Sequence, residues 1–232
     1  MIGGDEAYRG EFPWMVNVSK GGRLWNGAVI NEEYVLTVAG PLHEGVSASQ
    51  LTLVAGDHDI TAPEGTEQKR AVERIVVHPS FDPSTHVHDI AILKVTEPFV
   101  LNSRVQSATL PLDPFDPTTY MDAVGWGPMT EGESVSPQLQ KVSLPYVDHK
   151  TAHAAYSGGI EKKSMVAAGF LGRGGKGAAT GDEGSNLIAD TGSTRFLAGL
   201  FSFARGTASP DYPSIFTRVS HHTEWINSVV AG

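Results

Sequence analysis

Residues 180–186 read Thr180-Gly181-Asp182-Glu183-Gly184-Ser185-Asn186 and lead directly into the apolar stretch Leu187-Ile188-Ala189. Glycines at both ends of the acidic pair allow a tight turn in which successive backbone amides face one point. The carboxylates of Asp182 and Glu183 stand between these glycines. The stretch therefore predicts a turn that presents amides and a carboxylate together, immediately before an apolar segment.

Short motifs elsewhere in the chain follow one another in an order that fits this turn. From the N-terminus they are Met1-Ile2-Gly3-Gly4, Gly10-Glu11-Phe12-Pro13-Trp14, Tyr34-Val35-Leu36-Thr37-Val38-Ala39, His88-Asp89-Ile90-Ala91-Ile92-Leu93, Val124-Gly125-Trp126-Gly127, Leu139-Gln140-Lys141-Val142, Tyr212-Pro213-Ser214-Ile215-Phe216-Thr217 and Trp225-Ile226. Together with residues 180–186 they resemble the trypsin-like serine proteases, and among these a crustacean trypsin. In that family the turn reads G-D-S-G-G-P, so Glu183 stands where the nucleophilic serine is expected.

The resemblance implies an all-β fold of two six-stranded antiparallel Greek-key barrels with a short C-terminal helix. Residues 1–110 would form mainly the first barrel, with an N-terminal segment that crosses to the second. Residues 111–232 would form the second barrel and the C-terminal helix. The 26 glycines and 14 prolines suit many short strands and tight turns. Asp148 is predicted to cap a short helix, and residues 221–229 have the spacing of another.

The residues that such proteases use for catalysis are largely replaced. The resemblance implies a general base at position 40, where the chain has Gly40, and a nucleophile at Glu183. Asp89 remains at the place of the residue that orients the base, while Ser185 is predicted to point elsewhere. Because the mechanism needs a serine, a histidine and an aspartate together, we expect no peptidase activity. The backbone amides of Gly181 and Glu183 could still form an oxyanion hole.

The expected specificity pocket is altered as well. The pocket aspartate of trypsins aligns with Gly177, so a cationic side chain would find no counter-charge. The two phenylalanines of the far wall suit a small aromatic ligand. The expected pocket residues are Gly177, Ala178, Thr180, Phe201, Ser202, Phe203, Ala204 and Gly206.

Glu183 is the candidate catalytic group, with His86 as its assistant. A carboxylate moved into an apolar slot has its charged form disfavoured, which makes it a stronger base. Proton abstraction from a flat heteroaromatic, as in the Kemp elimination of a benzisoxazole, is the predicted chemistry. His86 lies three residues before Asp89 and can project into the space left by Gly40, although loop histidines are also often solvated.

Other interpretations of these residues stay open. Glu183 could turn outward or pair with Arg205, which would leave an inert protease homologue or a scaffold that binds a ligand or a protein. A metal site built from His86 and His88 or Glu183 is the third alternative. It is the weakest, because residues two apart on a strand face opposite sides.

Charged groups predict one buried ion pair and one acidic loop. In the family a freed N-terminal ammonium pairs with the aspartate that aligns with Asp182, so we expect an ion pair between the Met1 α-amino group and Asp182. The loop that holds calcium in many family members carries Asp57, Glu64 and Glu67 here. Either a calcium ion or solvent would suit these carboxylates. No other metal and no cofactor is predicted.

Composition limits the possible partners of the chain and indicates how the chain arose. With 17 basic and 26 acidic residues its net charge is −9, which argues against nucleic acid or an anionic membrane as a partner. We expect a monomer. There is no cysteine, whereas family members are secreted and stapled by disulfides; the aligned half-cystine positions are Asn26, Pro41, Ala152, Ala167, Ala179 and Thr207. Redesign for expression in a reducing cytoplasm would explain their loss, so the sequence predicts an engineered chain.

Overall fold

The computed structural model describes residues 1–43 and 45–232, and the regular secondary structure within these ranges is mostly strand. The strands are β1 (Asp5–Glu6), β2 (Met15–Lys20), β3 (Arg23–Val29), β4 (Tyr34–Thr37), β5 (Thr52–Ala55), β6 (Gln68–Val77), β7 (Ala91–Val95), β8 (Tyr120–Gly125), β9 (Gln140–Val147), β10 (Met165–Ala168), β11 (Asn186–Asp190), β12 (Arg195–Phe203) and β13 (Ser214–Arg218). Helix α1 spans His149–Ala155, and α2 spans Val219–Val230.

The first barrel closes in the spatial order β2-β3-β4-β7-β6-β5, with every pair antiparallel. Strands β2 and β3 form a hairpin in which Lys20 lies opposite Arg23. The two residues between them, Gly21 and Gly22, have φ values of 56° and 89°. Positive φ at both positions is what a two-residue turn needs to match the twist of the strands. Glycine is therefore required here by the backbone.

The second barrel follows the order β8-β9-β10-β13-β12-β11 and closes because β8 pairs with both β9 and β11. β1 adds to the outer side of β9, with Asp5 opposite Lys141. The N-terminal segment thus crosses to the second barrel. Two closed six-stranded antiparallel barrels and a C-terminal helix confirm the predicted fold class.

The two helices lie where the sequence predicts them. The carboxylate of Asp148 accepts a hydrogen bond from the Thr151 amide, 3.0 Å away, and so caps α1. Helix α2 begins at Val219, slightly earlier than the expected residue 221. It buries Ile226 against the main core. In the described parts of the chain, no helix has both the length and the apolar character needed to cross a bilayer.

A hydrophobic cluster and a polar junction join the two barrels. The largest cluster of buried apolar side chains joins Leu36 and Ile92 of the first barrel to Val124 and Leu200 of the second. At the junction, the backbone and side-chain amides of Asn26 donate to the carbonyl of Glu183 over 2.8 and 3.1 Å. The Asn26 side-chain oxygen accepts from the amide of Trp126 at 3.1 Å.

Candidate functional site in the cleft between the barrels

A cavity of about 390 Å³ lies between the two barrels. Its size falls at the lower end of the range of small-molecule pockets. Its walls combine aromatic rings with ionisable groups from both barrels. They are formed by Arg23, Val38, Gly40, Pro41, His43, Phe81, Pro83, His86, Asp89, Thr180, Glu183, Phe201, Ser202, Phe203 and Ala204.

Asp89 is the most constrained side chain of this cavity. It precedes β7 and is 1% exposed. One carboxylate oxygen accepts hydrogen bonds from the amides of Ala39 and Gly40, both at 2.8 Å. The other accepts a hydrogen bond from the Ser202 hydroxyl at 2.5 Å. A Cβ built on Gly40 would meet only the two Asp89 oxygens, at 3.7 and 3.8 Å. The space next to Gly40 is therefore open beside an anchored carboxylate.

His86 lies beside the same carboxylate. Its Nδ1 is 3.5 Å from Oδ2 of Asp89, and its ring lies 5.2 Å from that of Phe203. The contact with Asp89 raises the pKa of His86 above 6.5, although burial opposes this shift. The histidine reaches this place because its backbone adopts φ 58°, a left-handed conformation that costs energy for any residue but glycine. The structure thus brings His86 to the region that Gly40 leaves open.

The loop that carries His86 is shaped by Asp82. The Asp82 carboxylate accepts hydrogen bonds from the Ser84 amide at 2.8 Å and the Ser84 hydroxyl at 2.7 Å. These bonds lower the pKa of Asp82 to about 2. The Asp82 carbonyl accepts the amide of His86 at 2.8 Å. This turn aims the His86 ring at Asp89 from the side of the first barrel.

Glu183 borders the cavity, but its carboxylate reaches back along its own turn. Both carboxylate oxygens accept from the amide of Gly181, at 3.1 and 3.3 Å. The Gly181 amide, one of the two expected oxyanion-hole donors, is thus partnered by a side chain two residues away. Arg205 does not pair with it among the described ion pairs: its guanidinium lies 4.8 Å from the Tyr212 ring centre.

The expected specificity pocket is partly closed. Thr180, Phe201, Ser202, Phe203 and Ala204 border the cavity, whereas Gly177, Ala178 and Gly206 do not.

The Ser214 hydroxyl bonds to the Ala178 amide at 3.2 Å and to the Ala178 carbonyl at 3.1 Å. A Cβ on Gly177 would lie only 3.2 Å from the Ser214 oxygen and 3.4 Å from Cα of Ala208. The apolar slot around Gly177 stays a prediction, and the cavity described here lies nearer Gly40 and His86.

The Met1 ammonium lies in the second barrel beside Asp182. It is 3.2 Å from the Asp182 carboxylate, and both groups are fully buried. The carbonyls of Gly127 and Pro128 accept from the same ammonium at 3.1 and 2.6 Å. Burial raises the pKa of Asp182 to about 6, even though the ammonium favours its charged form. Next to it, the Ser185 hydroxyl donates to the carbonyl of Asp182 and does not face the cleft.

The carboxylates of the acidic loop contact the loop backbone and a neighbouring cation. Glu67 accepts hydrogen bonds from the amides of Glu64 and Gly65, and the Glu64 side chain contacts Arg9. Burial is the main cause that raises the pKa of Asp57, and the charge of Glu67 is the next. Among the described residues, the group of three metal-ligating side chains lies outside this loop.

Sequence reasoning missed six lining residues of the cavity: Arg23, Val38, Pro41, His43, Phe81 and Pro83. Arg23 and Phe81 reach it from the first barrel, and His43 follows the short turn Gly40–Leu42. The Nδ1 atom of His43 lies 2.8 Å from the Gly40 carbonyl, and its ring packs edge-on to Phe81. The spacing from Gly40 to His43 fits one turn of 3₁₀ helix and could have indicated this residue.

Two closed six-stranded antiparallel barrels with a cleft between them and a C-terminal helix are the architecture of the trypsin-like serine proteases. A model of the Trypsin family matches residues 1–226, and the chain belongs to this family. It is 34% identical over 238 residues to Trypsin-1 of the crustacean Astacus astacus, covering 98% of this chain and 99% of that protein. It is 30% identical to Trypsin of Sus scrofa, covering 100% and 96%, and 29% identical to Serine protease 1 of Homo sapiens, covering 100% and 90%.

Proposed function

We propose that this chain is an engineered protein on a trypsin-like scaffold, without peptidase activity, whose cleft acts on a small aromatic molecule with Glu183 as general base. The supporting observation is that Glu183 and His86 border one cavity whose walls include Phe81 and Phe203. At the same time Gly40 supplies no base, and Glu183 stands where the nucleophile would be. Such a cavity suits proton transfer within an aromatic ligand better than attack on a peptide.

The Kemp elimination of a benzisoxazole is the reaction that this arrangement supports. The carboxylate of Glu183 would take the proton from the ring carbon next to nitrogen. The electrons of the C–H bond then form a nitrile as the N–O bond breaks, and the negative charge remains on the phenolate oxygen. His86, whose pKa is raised by Asp89, would donate a hydrogen bond to that oxygen from its protonated form. General-base catalysis of this type contributes about 10²–10⁴-fold.

The absence of cysteine supports the engineered origin. The aligned half-cystine positions are filled by residues that pack or hydrogen bond, such as Asn26 at the barrel junction and fully buried Ala152. A disulfide typically contributes about 2–5 kcal/mol to a small secreted domain, so its loss calls for compensation of this kind. We propose recombinant expression of a monomer in the cytoplasm as the setting in which such a chain is useful.

The decisive experiment measures ring opening of a nitrobenzisoxazole by the parent protein and by Glu183→Gln. We expect the parent to exceed the buffer rate and Glu183→Gln to lose most of that excess, because the amide cannot accept the proton. Glu224→Gln, on the exposed side of α2, is the matched control and should keep the parent rate. A variant Glu183→Gln at full rate, or a parent no faster than buffer, would contradict the proposal.

Loss of peptidase activity is tested separately with an arginyl chromogenic amide. Turnover that survives repurification and is blocked by a serine-directed inhibitor would show that another group replaces the missing nucleophile.

The second candidate function is a catalytically inert module that binds a ligand or a protein. The observation that favours it is the bond from the Gly181 amide to the Glu183 carboxylate, which leaves this group partnered within its own turn. In that case an aromatic ligand should bind the parent and Glu183→Gln equally, and neither should turn over a benzisoxazole.

A further inference from the structure

Three histidines meet behind the cleft loop, outside the cavity just described. His78 follows β6, His88 precedes β7, and His222 lies in the first turns of α2. Their ligating nitrogens all lie within 4.8 Å of one another. His222 is 1% exposed, while His78 and His88 are half-buried. A cluster of imidazoles with one side accessible to solvent is typical of transition-metal sites.

Hydrogen bonds fix the nitrogen that His222 turns toward the cluster. Its Nδ1 lies 2.8 Å from the carbonyl of Arg218 and must donate to it, since a carbonyl can only accept. The neutral ring therefore carries a lone pair on Nε2, which faces Nδ1 of His88 at 3.0 Å. An imidazole held by a carbonyl through its other nitrogen is the usual arrangement of a histidine ligand.

We propose that His78, His88 and His222 form a binding site for a transition-metal ion, with Zn²⁺ as the reference ion and solvent in the remaining position. Zinc–nitrogen bonds of about 2.0–2.1 Å in a tetrahedron place ligand nitrogens about 3.3 Å apart. The rings therefore need to close by about 1.5 Å at most to bind one ion. His88 would bind through Nδ1 after its proton moves to Nε2, which releases no proton overall.

One existing hydrogen bond opposes metal binding by His78. The amide of Ser80 donates to Nδ1 of His78 at 3.2 Å. Binding through Nδ1 displaces this donor, and binding through Nε2 places a proton on Nδ1 facing it. In both cases the bond is lost, so His78 is the weakest of the three ligands and the other two provide most of the affinity.

Substitution of His88 can remove one proposed ligand without destabilising the fold. Its backbone has φ 55°, a left-handed conformation that asparagine adopts more readily than most residues. His88→Asn should therefore fold as well as the parent. His149→Gln is the control, because His149 lies on α1, where its ring is 5.0 Å from that of His153 and could form a competing two-histidine site.

The experiment titrates chelator-treated full-length protein with ZnCl₂ in a calorimeter and repeats the titration on both variants. We expect one ion per chain in the parent, at least about tenfold weaker binding in His88→Asn, and unchanged binding in His149→Gln. Binding that His88→Asn leaves unchanged, or that only His149→Gln weakens, would overturn the proposal. So would a parent that binds no zinc.

A second measurement locates the ion independently of protein stability. The ring of Trp225 lies 4.8 Å from that of His78, so a paramagnetic ion at the three histidines should quench its fluorescence. Addition of one equivalent of Cu²⁺ should quench the tryptophan fluorescence of the parent. Most of this quenching should be absent in Trp225→Phe. Equal fractional quenching in the parent and in Trp225→Phe would place the ion elsewhere and contradict the assignment.

Discussion

Asp89 shows how a single carboxylate can be kept while the group beside it changes. It accepts hydrogen bonds from the amides of Ala39 and Gly40 and from the Ser202 hydroxyl, and it contacts the imidazole of His86. These donors hold both carboxylate oxygens in place, and the contact with Asp89 raises the pKa of the adjacent His86.

The titration of His86 tests this arrangement. In the parent, we expect its NMR midpoint to lie above 6.5, since Asp89 stabilises the imidazolium. In Asp89→Asn the charge is gone while burial remains, so the midpoint should fall. His86→Gln identifies the resonance by its disappearance. A midpoint that does not move in Asp89→Asn would mean that the two side chains do not interact in solution.

Part of the cleft could be predicted from the sequence, but the contacts within it could not. The family resemblance placed His86 and Asp89 at the cleft, and both border the cavity. The bonds between Ser214 and Ala178 join residues far apart in sequence and form only in the folded barrel. Likewise, no motif records that the Glu183 carboxylate rotates toward the Gly181 amide, because the choice of rotamer depends on donors brought close by the turn.

At the scale of elements, the hairpin of β2 and β3 depends on backbone conformation alone. A Cβ at Gly21 or Gly22 would meet no atom within 4 Å, so sterics with neighbours do not explain the glycines. Their positive φ values do. A two-residue glycine turn between two strands is a strong local signal for a hairpin.

Substitution of Gly22 tests the cost of the turn. We expect Gly22→Ala to lower the free energy of unfolding by about 1–2 kcal/mol, because an L-residue is strained in the left-handed region. Gly22→Asn should cost clearly less, since asparagine tolerates that region. Urea denaturation of the three proteins provides the comparison. Equal stability of the alanine and asparagine variants would indicate that the turn relaxes to another conformation.

At the scale of the whole molecule, acid should destabilise the fold through its buried histidines. Burial lowers the pKa of His222 from 6.5 to about 3, against the opposing effect of its bond to the Arg218 carbonyl. Burial also lowers the pKa of His78 to about 4. Below pH 6.5 the unfolded chain gains protons at these rings while the folded chain does not. Stability is therefore lost as the pH falls from about 6.5 toward about 3.

Urea denaturation of metal-free protein at a series of pH values measures this loss. For His222, which is almost completely buried, the slope can reach about 1.4 kcal/mol per pH unit. His222→Gln cannot titrate, so its stability should decline less steeply than that of the parent over the same range. Parallel pH profiles for the two proteins would show that His222 is protonated equally in the folded and unfolded states.

The order of motifs along the chain predicted both barrels because strand order and turns are encoded locally and repeat a known pattern. The short β1 strand was harder, since its pairing with β9 joins residues far apart in sequence and only two residues take part. The histidine cluster was missed for the same reason. His78, His88 and His222 come from three separate elements, and only the closed first barrel and the docked α2 bring them together.

The bonds of Asn26 have a consequence for how the protein opens. Its three hydrogen bonds join β3 of the first barrel to Glu183 and Trp126 of the second, at a position that aligns with half a disulfide. A junction made of amides has no redox state, so reductants and oxidants leave it unchanged. Asn26 is buried, so opening of either barrel would expose its polar groups to water. We therefore expect the two halves to open together, with a link that re-forms on refolding without an oxidant.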